Sequence, residues 1–213
     1  MKTKKFAVVL SGCGVFDGAE IHEAVMTMYA IAKNGCTYDI FAPNIEQYHV
    51  VNHLTKQPTD QKRNVLVEAA RIARGKIFDL SSFNAQNYDA LIFPGGFGVA
   101  KNLCSFAFDA ENATVNQDVQ NAIVQMHKLR KPIGGLCISP ALLTLVLKNI
   151  EITIGQDKQT AQVLEKVGAK HTNTEHSQVV VDKQNLIFTT PCYMLEATIV
   201  DIANDADNIV KEM

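Results

Sequence analysis

Four short apolar runs, each ending at a turn residue or a bend, constrain the fold more than any other feature of the sequence. They are FAVVLSG from Phe6, TYDIFAP from Thr37, YDALIFPGG from Tyr88 and KPIGGLC from Lys131. The stretches between them have apolar residues at helical spacing, so strands alternate with helices along the chain. This alternation predicts an α/β fold, a three-layer sandwich in which a mostly parallel sheet lies between two layers of helices.

The length of 213 residues suits one domain, 1–213, with a large core. Apolar spacing predicts helices over about 19–34, 61–74, 116–128, 160–167 and 195–210, and one after the fourth run that reaches 147. Ile21, Val25 and Ile199 are expected on buried helix faces. EITI from Glu151 predicts a short strand, and QVVV and LIFTT, joined by DKQN, predict a hairpin. Segment 44–86 is too long for an ordinary connection, and we interpret it as an insertion that covers one end of the sheet.

Composition excludes several classes of protein. Hydrophobic residues make up 47% of the chain and charged residues 20%, and the net charge is −2, so we expect neither disorder nor a nucleic-acid partner. No apolar run approaches the ~20 residues that cross a membrane, and the first strand leaves no room for a signal peptide. The five cysteines contain no CxxC pair, which favours free thiols and no zinc site. We therefore expect a soluble cytoplasmic protein whose partners are small molecules.

The fourth run ends in Cys137, where the sequence is typical of a strand-to-helix bend. Ser139 and Pro140 suit the N-cap and first position of a new helix, and Gly135 and Ser139 provide small residues on either side of the cysteine. A thiol on such a bend faces unpaired helix amides, which favour the thiolate. Cys137 is thus a candidate nucleophile. The alternative is an unreactive cysteine at the end of a buried strand.

Ligands of parallel sheets bind at the carboxyl ends of the strands, so the ends of runs one, three and four should share a pocket. Glu20 begins the helix after run one, and it could supply a catalytic carboxylate or, with Asp17, cap the helix; the two roles are compatible. Gly95 and Gly96 in FPGG allow backbone amides to point into the pocket, as an oxyanion requires. Cys13 could be a second accessible thiol or a small residue that closes a turn.

The stretches SGCGVFDGAEIHEA, RNVLVEAARIARG, FPGGFGVAKNL, GGLCISPA and TTPCYM together resemble the ElbB-type branch of the PfpI and Parkinsonism-deglycase superfamily. The resemblance covers almost the whole chain. It implies the flavodoxin-like, class I glutamine-amidotransferase-like fold and a homodimer. Cys137 would be the nucleophile and Glu20 the acidic residue that reaches toward its sulfur, with the amides near Gly96 and of Ile138 forming the oxyanion pocket.

The same resemblance implies a glyoxalase, which converts glyoxals to hydroxy acids without glutathione, metal or another cofactor. The sequence differs from the motifs of many relatives at two points, and these differences bear on the expected reaction. Many relatives have a histidine directly after the nucleophile, whereas this chain has Ile138, and no His-x-Glu motif follows the elbow. The second difference argues against ammonia production from glutamine.

Three functions are compatible with these residues. In the leading hypothesis Cys137 attacks the aldehyde carbon of a small carbonyl substrate and Glu20 moves the proton between carbons. The second is a non-catalytic metabolite-binding or redox-sensing protein that uses the same thiol. The third is a hydrolase of small amides or peptides, for which His171 or His176 would have to serve as base. Cys13, Gly95 and Cys192 are expected to line the pocket in each case.

Overall fold

The computed structural model describes residues 3–213, so the first two residues of the predicted domain lie outside the described part. The strands are β1 Lys5–Val9, β2 Thr37–Ala42, β3 Val50–Asn52, β4 Gln57–Thr59, β5 Phe78–Asp79, β6 Ala90–Phe93, β7 Ile133–Leu136, β8 Glu151–Ile152, β9 Lys170–His171, β10 Val180–Asp182 and β11 Ile187–Thr190. The helices are α1 Ile21–Lys33, α2 Val65–Ile72, α3 Phe106–Asp109, α4 Gln117–Lys128, α5 Ser139–Leu147, α6 Lys158–Val167 and α7 Ile199–Glu212. A π-helical turn spans Val99–Leu103, and a 3₁₀ turn spans Cys192–Met194.

Seven strands form the central sheet, in the order β10-β11-β7-β6-β1-β2-β5. Every neighbouring pair is parallel except β10 and β11, which form the predicted antiparallel hairpin. The four predicted apolar runs supply β1, β2, β6 and β7. These four strands lie in the middle of the sheet, where both faces are covered, which explains why their sequences are mostly apolar.

Helices cover both faces of the sheet, as the α/β sandwich prediction requires. One core joins the sheet to α1, α2 and α7, and the other joins it to α4, α5 and α6. The fold class is therefore confirmed. The strand predicted at EITI is shorter than expected and pairs with β9 in a separate two-stranded sheet.

The prediction for the buried face of α1 is wrong at two positions. Ile21 and Val25 are 42% and 41% exposed, because the buried arc of α1 is displaced toward small and polar residues. The buried residues are Glu23, Ala24, Thr27, Met28, Ala30 and Ile31. Similarly, α7 begins four residues later than predicted, and Ile199 is exposed in its first turn.

Segment 44–86 is only partly a cover. The β3–β4 hairpin lies against the loop that follows β1: Val51 N–H donates to Asp17 Oδ2 over 2.7 Å, and Phe16 N–H donates to Nε2 of His53 over 3.2 Å. The second half of the segment belongs to the sandwich itself, because α2 packs in the core and β5 extends the sheet. Among residues 3–213, no helix is both long and apolar enough to cross a membrane.

Candidate active site at the strand-to-helix elbow

Cys137 lies on the bend between β7 and α5 with a φ of +59°, in the left-handed region. A non-glycine residue there is strained by roughly 1–2 kcal/mol. The elements on either side hold this conformation: Cys137 N–H donates to Thr190 O over 3.0 Å, and Ser139 Oγ donates to Pro94 O over 3.1 Å. The helix begins one residue earlier than predicted, with Ile138 as N-cap and Ser139 as the first helical residue.

Gly95 allows the end of β6 to approach the thiol. A Cβ atom on Gly95 would lie 2.4 Å from Cys137 Cβ and 2.6 Å from Glu23 Oε2, closer than real Cβ contacts allow. Gly96 has a φ of +104°, and a Cβ atom there would lie 2.4 Å from Glu20 N. The consecutive glycines therefore bring backbone next to the sulfur.

Alanine at position 95 should cost substantially more stability than alanine at an open glycine. We expect Gly95→Ala to lower the free energy of unfolding by about 3 kcal/mol or more, because the fixed neighbours cannot all move aside. Gly35→Ala is the control: it meets no atom within 4 Å, so only its left-handed φ is strained, at about 1 kcal/mol. Urea unfolding of both variants measures the difference, and equal losses would contradict the close packing.

Glu23 is the acidic partner of the thiol. Its side chain is fully buried. Oε2 accepts Gly95 N–H over 2.8 Å, and Oε1 accepts Tyr193 N–H over 3.3 Å. The carboxyl lies beside the Cys137 thiol, because a Cβ atom on Gly95 would be 2.6 Å from Glu23 Oε2 and 3.0 Å from Cys137 Sγ. The helix α1 thus delivers one carboxyl to the point where β6, β7 and β11 end.

Of the two compatible roles predicted for Glu20, the structure shows the helix cap. Glu20 is the N-cap of α1, and its Oε2 accepts Glu23 N–H over 2.7 Å. Asp17, which was expected to cap the helix, instead binds the β3–β4 hairpin. Because Glu20 and Glu23 are separated by about one helical turn, both lie near the pocket end of α1, but only Glu23 turns toward the sulfur.

Burial and proximity raise the pKa of both members of the pair. Burial, and then the charge of Glu20, raise the pKa of Glu23 to about 8. Burial, and then the charge of Glu23, raise the pKa of the Cys137 thiol well above its ordinary value. The predicted thiolate is therefore not the resting form, because desolvation outweighs the helix N-terminus.

The two amides predicted to bind an oxyanion lie at the sulfur. The N–H groups of Gly96 and Ile138 both interact with Cys137 and oppose the rise of its pKa. A negative charge on the sulfur, or on an oxygen bound next to it, would lie close to these two donors.

The other predicted pocket residues divide into two groups. Cys192 is fully buried just after β11. Burial is the main cause that raises its pKa, and the nearby charges of Glu23 and Cys137 raise it further. Cys13 is half-buried, and the charged groups that act on it differ from those at Cys192. They are Glu68, Arg71, Asp17 and Arg63. All five cysteines are free thiols.

Neither proposed histidine base is available to the sulfur. His171 Nε2 accepts Ile154 N–H over 3.2 Å. Both ring nitrogens of His176 are engaged, with Asp205 Oδ2 at 3.1 Å and Glu196 O at 3.0 Å. Within residues 3–213, no cluster of three or more His, Cys, Asp or Glu side chains could hold a metal ion.

Sequence reasoning missed Glu23 and a second polar pair beside it. Nδ1 of His22 lies 2.8 Å from Oη of Tyr193, the residue whose N–H binds Glu23. A signal for Glu23 was present in the sequence: positions 23, 27 and 30 form a stripe of helical spacing in which Thr27 and Ala30 are small enough to lie against a sheet.

Comparison with known proteins gives no match to a family model. The chain is 44% identical over 205 residues to the human "Glutamine amidotransferase-like class 1 domain-containing protein 3, mitochondrial", covering 92% of this chain and 76% of the relative. It is 42% identical over 219 residues to the rat "ES1 protein homolog, mitochondrial", covering 98% and 82%. These names contradict the predicted cytoplasmic localisation.

Among solved structures, the chain is similar to an isoprenoid biosynthesis protein with an amidotransferase-like domain from Ehrlichia chaffeensis. The TM-score is 0.91 at 35% identity, over 98% of this chain and 97% of that one. Drosophila melanogaster DJ-1beta shares the fold, with a TM-score of 0.56 at 16% identity over 99% and 95% of the two chains.

Proposed function

Because the chain belongs to the family of glutamine amidotransferase-like class 1 domain proteins and ES1 proteins, we propose that it is a cofactor-independent glyoxalase-type lyase of the ElbB branch of the PfpI superfamily. Its substrates would be small 2-oxoaldehydes such as glyoxal and methylglyoxal. The observation that carries this proposal is the buried Glu23 carboxyl beside the elbow thiol, with the N–H groups of Gly96 and Ile138 at the same sulfur.

The first step requires that the pair lose one proton. With a pKa of about 8, Glu23 is largely protonated at neutral pH, and its carboxylate form is the base that can take the thiol proton. The sulfur of Cys137 then forms a bond to the aldehyde carbon as the carbonyl π electrons move to oxygen. The amides of Gly96 and Ile138 bind that oxygen, and the proton held by Glu23 converts it to a hydroxyl group.

The second step moves a proton between carbons. The Glu23 carboxylate removes the proton from the former aldehyde carbon, the C–H electron pair forms a carbon–carbon double bond, and the π electrons of the neighbouring ketone move to its oxygen. Glu23 then returns the proton to the neighbouring carbon, while the hydroxyl proton on the former aldehyde carbon passes to the ketone oxygen and the former aldehyde carbon becomes the thioester carbonyl. The product on the enzyme is a thioester of the 2-hydroxy acid. Water cleaves that thioester, which releases the acid and regenerates the thiol, so no oxidant or reductant is consumed.

The test is lactate formation from methylglyoxal, followed by proton NMR with purified protein and no added thiol or metal. The expected product is one lactate per methylglyoxal consumed. In deuterated water a detectable fraction should keep hydrogen at C2, because a buried Glu23 exchanges its proton slowly with solvent. Loss of methylglyoxal without lactate would contradict the proposal.

The two alternatives receive less support from the site. A redox sensor requires an accessible, low-pKa thiol, whereas Cys137 is 7% exposed and its pKa is raised. A hydrolase requires a base for the leaving group, and both candidate histidines have other partners.

The homodimer remains a proposal, and the exposed face of α1 is its strongest support. Ile21, Val25 and Tyr29 form one stripe along the helix and are 42%, 41% and 58% exposed. The stripe adjoins a groove of about 980 Å³ whose lining includes Val25, Met28 and Ile72. Apolar helix faces of this kind commonly mark interaction sites.

Glutamate at position 25 should weaken the dimer by burying an unpaired charge. We expect sedimentation velocity at micromolar concentration to give a dimer for the wild type and a monomer for Val25→Glu, while Val67→Glu, at a more exposed position on α2, stays dimeric. A wild-type monomer would exclude the dimer, and a dimeric Val25→Glu variant would exclude this face.

A further inference from the structure

A second buried polar cluster lies behind the Cys137–Glu23 pair. Its centre is Asp205, a fully buried residue of α7. The carboxylate accepts Cys192 N–H over 3.1 Å, Ser177 N–H, and a hydrogen bond from Nδ1 of His176 over 3.1 Å. One side chain thus binds both the loop before β10 and the turn after β11.

The partners of His176 define its protonation state. Nδ1 faces a carboxylate oxygen of Asp205, and Nε2 faces the carbonyl oxygen of Glu196 at 3.0 Å. Both partners can only accept, so both bonds form only when both ring nitrogens carry hydrogen. The arrangement therefore requires the imidazolium cation, and a neutral ring would lose one of the two bonds.

The turn that this cluster holds contacts both members of the reactive pair. Thr190, just before the turn, accepts Cys137 N–H, and Tyr193, within it, donates its N–H to Glu23 Oε1. Cys192, between them, has a φ of +45°, a strained conformation for a non-glycine residue. Asp205 binds the N–H of that strained residue directly, and His176 binds the carbonyl of Glu196 at the other end of the turn.

We propose that His176 and Asp205 are positioning residues for the Cys137–Glu23 pair: they hold the 192–196 turn so that Tyr193 N–H stabilises the Glu23 carboxylate. This inference rests on the proposed function for its catalytic meaning. Both hydrogen bonds of His176 hold the turn while the ring is protonated, and one of them is lost when the ring becomes neutral. Cys137 should therefore be more reactive while His176 is protonated than after its ring becomes neutral.

The charges around His176 favour its protonated form, in which both of its hydrogen bonds are made. The acidic groups that face it are Asp205 and Asp201, both on α7, and the backbone of Glu196 adds an acceptor. Burial lowers the pKa of His176, but the hydrogen bonds to Asp205 and Glu196, together with the charges of Asp205 and Asp201, raise it by more. A histidine with a raised pKa contributes stability that is complete below its unfolded pKa and is lost as pH rises through the folded value.

The test is the pH dependence of Cys137 alkylation by iodoacetamide, measured by peptide mass spectrometry in His176→Gln, Asp205→Asn and the wild type. Losing the Tyr193 hydrogen bond should raise the pKa of Glu23, so the ascending midpoint of both variants should move up by about one pH unit. His127→Gln is the control, because His127 contacts Asn185 on another part of the surface, and its midpoint should not move.

An unchanged midpoint in His176→Gln and Asp205→Asn would overturn the positioning role, even if both variants unfold at lower urea concentrations. The measurement needs no turnover. If the wild-type protein forms no lactate, the glyoxalase proposal fails. The positioning role of His176 and Asp205 is judged separately, from the alkylation midpoints.

Discussion

Replacing Cys137 with alanine should reduce lactate formation from methylglyoxal to the rate of the protein-free reaction. The sulfur forms the only covalent bond to substrate in the proposed mechanism, and neither Glu23 nor the amides can substitute for it. We expect kcat/KM to fall by at least about 10³-fold, the range in which removal of a nucleophile is usually found. The folded state should persist, because the substitution removes only the sulfur atom and leaves the backbone and Cβ of the bend unchanged.

The matched control is Cys36→Ala, at a partly exposed thiol whose nearest polar partner is Asn34 O. It should keep wild-type turnover. Normal turnover in Cys137→Ala would eliminate the mechanism, and equal loss in both variants would point to a nonspecific effect of thiol removal.

Glutamine at position 23 should lower kcat/KM far more than glutamine at position 20. Glu23→Gln keeps the acceptor for Gly95 N–H but cannot take a proton, so kcat/KM should fall by about 10²–10⁴-fold, the usual contribution of general acid–base catalysis. Glu20→Gln keeps an oxygen for Glu23 N–H and should change kcat/KM by less than about fivefold, at a cost of about 1 kcal/mol in stability. Steady-state kinetics on both variants gives the comparison, and the reverse order would restore the role first predicted for Glu20.

The same substitution at position 23 should change how stability depends on pH. The pKa of Glu23 is raised from an ordinary 4.5 to about 8, so the folded state holds this proton more tightly than the unfolded state. That contribution is complete below about pH 4.5 and is lost as pH rises through 8. Its size is on the order of 5 kcal/mol, because each pKa unit corresponds to about 1.4 kcal/mol.

Urea unfolding between pH 5 and 9 should therefore show a steeper loss of stability in the wild type than in Glu23→Gln. At pH 9 the variant should be the more stable protein, since it buries a neutral amide in place of a carboxylate. Parallel curves would mean that Glu23 is not the buried titrating group.

The central fold could be predicted because its signal is local. Apolar runs that end in glycine, proline or the elbow gave β1, β2, β6 and β7, and the short polar link DKQN gave the β10–β11 hairpin. Strand order and the small β8–β9 sheet depend on contacts between distant segments. For the same reason, the sequence did not reveal that β5, within segment 44–86, extends the sheet.

The position of the elbow followed from residue sizes and cap preferences, whereas the identity of its carboxylate did not. Glu20 and Glu23 differ by about one helical turn, and which of them faces the sulfur depends on the rotation of α1 against the sheet. The small residues Thr27 and Ala30 set that rotation, which also leaves Ile21 and Val25 exposed. The charge state was predicted wrongly because burial, invisible in a motif, outweighs the helix amides at Cys137.

Glu23 control of the Cys137 thiol is tested most directly by the pH profile of alkylation in wild type, Glu23→Gln and Glu20→Gln. The wild-type rate should rise with a midpoint at about 8. Without the Glu23 carboxylate, the buried thiol is the only group of the pair that ionises, and the midpoint should move to higher pH. Removal of the Glu20 charge, which raises the pKa of Glu23, should move the midpoint to lower pH. A wild-type midpoint that is unchanged in Glu23→Gln would contradict the pairing of these two side chains.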